Sequence, residues 1–206
     1  GSPLFEVYNF YSPKIEKKKI LEKLNLTKKK YIVASIHRQE NLETKKNLKT
    51  IFNALNLLQK KLNVPVVFSA HPRTRRKIKQ YKIKISKNIL FKPPFGYLDY
   101  VKMMKHAKLV ISDSGSITEE TSILNLPSIN LRSSTERQEG MENGIVIMTG
   151  LDVNSILNSA KLVLHKKKAV NHPVYLDYSN PAVSDTVVTI LQSYIGYIKN
   201  KNYPEF

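Results

Sequence analysis

Cysteine and tryptophan are both absent from this chain of 206 residues. Without cysteine there is no disulfide staple, no thiolate zinc site and no cysteine nucleophile. Glycine is scarce, at 7 residues, which excludes a collagen-like or linker-like polymer. No run approaches the roughly 18 apolar residues of a membrane-spanning helix. Residues 1–10 also lack the basic-then-apolar layout of a secretory leader. A cytoplasmic protein without a membrane partner is the expectation. Acidic residues are few as well: 16 Asp and Glu face 34 Lys and Arg, a formal net charge of +18. Of the 34 basic residues only six are Arg.

What is present describes a folded chain. Hydrophobic residues make up 41% of it, with 11 Tyr and 7 Phe, enough apolar surface for a core at this length. The charge favours an anionic partner such as a nucleotide, a phosphorylated sugar or a nucleic acid. The 28 Lys lie mostly on candidate helices and tails, where a solvated surface explains them better than a nucleic-acid groove. The runs at 17–19, 28–30 and 166–168 have no interleaved aromatics, so no nucleic-acid partner is expected. The Arg are more informative, because five of the six fall in polar connections.

Short β-rich runs alternate with helical patterns. Residues 31–36 (YIVASI), 64–69 (VPVVFS), 89–91, 109–112 and 128–131 read as buried strands. Between them, 45–62 places Leu48, Ile51, Phe52, Leu55 and Leu58 at three- and four-residue steps, one face of an amphipathic helix. Shorter helices are predicted at 97–107 and 117–124, and a Lys-rich one at 14–26 with Ile20, Leu21 and Leu24 inward. A last helix at 180–199 opens on Asn-Pro, and its stripe of Val183, Val187, Leu191, Tyr194 and Ile198 predicts a helix laid across the domain. Strands separated by helices of this size imply βαβ units and a parallel sheet. The fold class is α/β, Rossmann-like, with 1–206 as a single domain. Residues 1–30 form its lead-in and 180–199 its long C-terminal helix.

In an open parallel sheet, ligands bind at the carboxyl ends of the strands. The connections there are strongly polar: His37-Arg38-Gln39-Glu40-Asn41, His71-Pro72-Arg73, Ser112-Asp113-Ser114-Gly115-Ser116, and residues 132–139 (RSSTERQE). Small residues in the 114–116 turn let backbone N–H groups approach a phosphate, though a plain strand-to-helix turn with a serine cap reads equally well. Glu119 and Glu120 follow in the first helical turn, a position that favours acids in any helix. With a diphosphate in the turn, such a carboxylate would meet ribose hydroxyls. His37 is the stronger candidate of the two strand-end histidines, because Arg38, Glu40 and Asn41 crowd beside it. No HExxH pattern or other ligand spacing occurs, so neither a metal nor a cofactor is expected. The two Arg and two Glu of 132–139 could neutralise one another at the surface, or Arg137 could meet a phosphate with its planar fork.

Five stretches, SIHRQEN, SAHPRTRR, PFGYLDYVKMM, ISDSGSITEE and RSSTERQEGMENG, in this order and spacing, resemble the non-hydrolysing UDP-N-acetylglucosamine 2-epimerase family. The resemblance runs from the start of the chain to the final helix. It implies a GT-B-type fold of two Rossmann-like halves with UDP between them, of which this chain looks like the C-terminal half. The family reaction removes the C2 proton of a UDP-N-acetylhexosamine and eliminates UDP to a glycal, then adds UDP back with a proton on the other face. By resemblance His37 is a catalytic histidine near the phosphates, Ser114, Gly115 and Ser116 cradle the diphosphate, and Glu120 holds the ribose. Arg137 pairs with phosphate, Phe95 or Tyr100 packs on uracil, and Arg38, Glu40, Asn41, His71 and Arg73 join the substrate site. The family's acid and base carboxylates belong to the N-terminal half, the implied partner of this one, and the full-length protein is implied to be a homodimer.

Two departures from the family pattern are visible. Ser116 stands where many members have a second Gly, and Gln138 replaces the usual Pro after Glu136-Arg137. Residues 139–151 look most like the branch that epimerises UDP-2-acetamido-2,6-dideoxy-L-talose to UDP-N-acetyl-L-fucosamine for capsule or O-antigen. A competing assignment is the donor-binding domain of a GT-B glycosyltransferase, which the HRQEN loop disfavours. Epimerisation rather than transfer of the sugar separates the two.

Overall fold

The computed structural model describes residues 1–165 and 178–202; His172 and the lysine run at 166–168 lie outside them. Six strands, β1 (Ile32–Ser35), β2 (Val66–Ser69), β3 (Ile89–Lys92), β4 (Leu109–Ser112), β5 (Ser128–Asn130) and β6 (Ile147–Met148), form one sheet. Their order is β3-β2-β1-β4-β5-β6, and every pairing is parallel. Ile32 of β1 stands opposite Val66 of β2 and Leu109 of β4. The chain leaves β1 toward one edge and later returns on the other side of it, so β1 and β4 flank the topological switch point.

Both faces of the sheet are covered, which is why its strands are apolar at successive positions rather than at alternate ones. On one face Ile32, Ala34, Phe68, Ile111 and Ile129 meet α4 (Lys45–Leu62), α5 (Pro72–Tyr81) and α9 (Val153–His165). Thr44 caps α4 by accepting from the Asn47 N–H at 3.0 Å. Its buried Leu48, Ile51, Phe52, Leu55 and Leu58 form the predicted face. Rings of Phe52, Phe68 and Phe91 cluster beneath it, Phe52 and Phe68 with centroids 5.2 Å apart. On the other face Val33, Val67 and Val110 meet α1 (Pro3–Glu16), α2 (Ile20–Lys23), α6 (Tyr97–His106) and α7 (Ile117–Ile123). Among the described residues the remaining helices are α3 (Gln39–Leu42), α8 (Gln138–Glu142) and α10 (Val183–Asn202).

The structure departs from the sequence expectations at several points. The helix expected at 14–26 is two helices. Lys102 Nζ donates to the Glu16 carbonyl at 3.0 Å and to its carboxylate, and Lys105 takes the second carboxylate oxygen. These bonds fasten the end of α1 to α6, and the chain turns before α2. The two lysines hold the Glu16 carboxyl down to about 2. Helix α1 itself begins eleven residues earlier than expected, with Pro3 in its first turn and Ser2 accepting from the Leu4 N–H. The sequence pattern predicts none of α3, α5, α8 and α9, nor the two-residue edge strand β6. The final helix starts at Val183, with Asn180 Oδ1 accepting from the Ala182 N–H. It is not laid across the domain by its stripe: Val187, Leu191, Tyr194 and Ile198 are all exposed, and the helix touches the body chiefly at α1, where Ser184 is bonded to Glu6.

Candidate functional site

The polar connections gather at the carboxyl edge of the sheet, around the switch point. After β1 the chain passes His37 and Arg38 into α3; after β4 it passes Asp113 and the 114–116 turn into α7. Asp113 joins the two. It has no exposed surface, and it accepts from the His37 N–H with both oxygens at 3.0 Å and from the Arg38 N–H at 2.8 Å. Asn41 spans to the third connection, donating from Nδ2 to Asp113 at 2.9 Å and to the Leu131 carbonyl at 2.8 Å. Both of its amide hydrogens are therefore committed within the protein. Glu40 is exposed and pairs with Arg38 at 3.1 Å.

His71 is the N-cap of α5, its Nδ1 accepting from the Arg73 N–H at 3.2 Å, so the connection expected at 71–73 opens a helix. The His71 ring nevertheless lies beside that of His37, with centroids 5.6 Å apart. Arg73 is exposed in the first turn of α5.

Two arginines from the connection after β5 close on the 114–116 turn. An added Cβ at Gly115 would come within 2.9 Å of Arg137 Nη1 and 3.4 Å of Arg132 Nη1, so two guanidinium groups close on a residue with no side chain. Arg132 is buried and grips Glu136 with two bonds, at 2.9 and 3.0 Å, which draws the Glu136 carboxyl down to about 2. Arg137 instead reaches Glu119 of α7, whose other oxygen accepts from the Ser2 hydroxyl. The loop is thus only half self-neutralised. Ser114 and Ser116 hydroxyls bond each other at 2.9 Å, and Ser116 gives α7 no side-chain cap.

Glu120 lies one residue beyond the Glu119–Arg137 pair. Burial, with the like charge of Glu119 adding to it, pushes its carboxyl up to about 7 against a lowering hydrogen bond from Ser116. Tyr100 packs beneath, and its phenol is driven up by desolvation and by the charges of Glu120 and Asp113. Phe95 is half-buried against the core on the α1–α6 face of the sheet. Tyr97 is 38% exposed and feels Glu120 as well. Sequence reasoning left Asp113 and Tyr97 without a role; it read Glu119 only as one of two first-turn acids, and Arg132 only as part of a self-neutralising loop, which its pair with Glu136 fits. A charged residue directly after an apolar strand was the available signal for Asp113 and, two residues beyond β5's end, for Arg132.

A parallel sheet wound in both directions from β1 and β4, with its polar connections at that point, defines a Rossmann-like α/β protein. The chain matches the UDP-N-acetylglucosamine 2-epimerase family over residues 1–192, and it belongs to that family. It is 33% identical over 165 residues to the UDP-N-acetylglucosamine 2-epimerase of Methanocaldococcus jannaschii, covering 78% of this chain and 44% of that one. The solved UDP-N-acetylglucosamine 2-epimerase of Rickettsia bellii superposes with a TM-score of 0.84 at 36% identity, over 100% of this chain and 55% of that one. The M. jannaschii enzyme, solved with UDP-GlcNAc and UDP, gives 0.81 at 29% identity, over 92% and 52%. This chain spans about half the length of the relatives it matches.

Proposed function

We propose that the chain is the UDP-binding half of a UDP-N-acetylhexosamine C2 epimerase, acting with an N-terminal half like that of its relatives. The carrying observation is the Gly115 turn with two guanidinium groups closing on it, one of them bonded to Glu119 through its Nε. A UDP diphosphate seated there would take the Arg137 fork in place of Glu119 and the backbone N–H groups of the turn. Glu120 then faces the ribose, and Phe95, Tyr97 or Tyr100 offers a ring for uracil.

Epimerisation by elimination breaks the C1–O bond and puts charge on the departing UDP, so the groups that matter here are donors aimed at the diphosphate. His37, at the end of β1 beside this turn, supplies one, and the proton chemistry at C2 belongs to the other half. The names of the relatives support UDP-GlcNAc and UDP-ManNAc as the pair. A homodimer of the full-length protein, working in the cytoplasm, belongs to the same reading.

NMR titration of the chain with UDP tests it. Shifts at Ser114, Gly115 and Arg137 are the expected outcome. Shifts confined to the lysine-rich helices would reduce the interaction to charge attraction and reject the site.

A further inference from the structure

The geometry points to Asp113 as a positioning residue for His37, holding the imidazole so that Nδ1 carries the proton and Nε2 is turned toward the ligand. This deepens the preceding reading and rests on it for what Nε2 meets, but the proton's location is a property of the chain alone.

Three observations carry it. Asp113 is wholly buried while the His37 side chain is 39% exposed, so the carboxylate is fixed and the ring stands at the surface of the site. The backbone N–H groups of His37 and Arg38 and the Asn41 amide all donate to Asp113, which clamps the loop that bears the ring. His37 Nδ1 lies 3.5 Å from Asp113 Oδ1, and a carboxylate can only accept there. A proton on Nδ1 faces the carboxylate oxygen favourably across that distance, whereas a bare Nδ1 would set a lone pair against it. Covalent geometry then places Nε2 on the opposite side of the ring. The proton held on one nitrogen is set by the bond the other groups offer it.

The consequence is chemical. With Nδ1–H anchored, Nε2 is free to take a proton and pass it as a donor to a diphosphate oxygen, while the buried carboxylate balances the resulting imidazolium. Asp113 also begins the 114–116 turn, so the same residue ties the histidine to the diphosphate cradle. His71 and Arg38 are the neighbouring basic groups; His71 Nδ1 already accepts from the Arg73 N–H and a guanidinium only donates, so neither competes with Asp113 for the Nδ1 proton.

The test is long-range proton–nitrogen correlation NMR on the uniformly nitrogen-15-labelled chain, at a pH above the histidine range. The expected result is a His37 ring with a protonated Nδ1 and a bare Nε2, and loss of that form in Asp113→Asn, whose amide presents a donor among donors. A wild-type ring with its proton on Nε2, or a pattern unchanged in a folded Asp113→Asn, would overturn the proposal. If Asp113→Asn does not fold, the wild-type spectrum decides alone. UDP is then added: with Nδ1–H established, a His37 signal indifferent to UDP leaves Asp113 as the positioning residue and counts against the nucleotide reading instead.

Discussion

Arg137 donates its Nε–H to Glu119 Oε1 at 2.5 Å across 18 residues of sequence, and this pair fastens the connection after β5 to helix α7. The guanidinium is one-third exposed, so the pair contributes little to stability, about 0–1 kcal/mol for ion pairs near the surface. Its interest lies in what else the arginine can reach. Arg137→Lys keeps the charge and loses the planar fork. UDP affinity is expected to fall about tenfold, the scale of about 1.5 kcal/mol for one charge-assisted bond, with the thermal midpoint little changed. Calorimetric titration beside thermal denaturation reads both, and equal affinity would remove Arg137 from the site.

Gly115→Ala probes the same turn from the other side. The added methyl meets the flexible end of Arg137 at 2.9 Å, so the fold can accommodate it by moving that side chain. The variant should unfold near the wild-type temperature yet bind UDP on the order of tenfold more weakly, because the displaced guanidinium no longer closes on the turn. Unchanged binding would show that the approach of Arg137 to Gly115 has no bearing on the ligand.

Glu120 gives the folded state a pH dependence. Its carboxyl sits at about 7 in the fold against the ordinary 4.5, so the folded protein holds this proton where the unfolded chain has released it. The contribution is fully present below about 4.5 and is lost as pH rises toward and through 7. Urea midpoints measured from pH 5 to 8 should therefore fall more steeply for wild type than for Glu120→Gln. Parallel curves for the two proteins would place the carboxylate in water.

Phe52, on the buried face of α4, is 2% exposed, with its ring centroid 5.2 Å from that of Phe68. Phe52→Ala is expected to cost about 3–5 kcal/mol, the range for deleting a buried ring whose cavity cannot collapse. The urea midpoint measures it, and a loss under about 1 kcal/mol would mean that the aromatic cluster repacks.

The chain alone should show no epimerase turnover, and joined to an N-terminal half of the family it should turn over in a His37-dependent way. His37→Ala is expected to lower kcat by about 10² or more, the scale of one positioned proton-transfer or charge-stabilising group. Coupled assay of both proteins checks this, and turnover by the 206-residue chain itself would contradict the division of labour.

Five of the six strands, α4, α6 and α7 and the parallel α/β class were legible in the residues, because each is a local pattern: an apolar run of strand length, or a stripe repeating at the helical period. The ordered motifs likewise led to the family. Helix α5 escaped because ten residues of largely charged sequence bury only Thr74 and Ile78, too few points to make a stripe. Helix α9 was legible in principle, with Asp152 bonded to the Ser155 N–H and Ile156, Ala160 and Val163 buried.

What tertiary structure alone decided is pairing. Residue types fixed that Asp113, Glu119 and the arginines are charged and polar, but not which would meet. Asp113 faces His37 because β1 and β4 lie side by side at the switch point, and Arg137 turns to Glu119 rather than to its near neighbours because α7 and α8 pack together. The stripe of α10 makes the converse point: a periodic apolar face states that a helix can be covered, and only the arrangement of the rest of the chain determines whether Val187, Leu191, Tyr194 and Ile198 are. Contacts between distant segments depend on chain path, which a local pattern of hydrophobicity and charge does not encode.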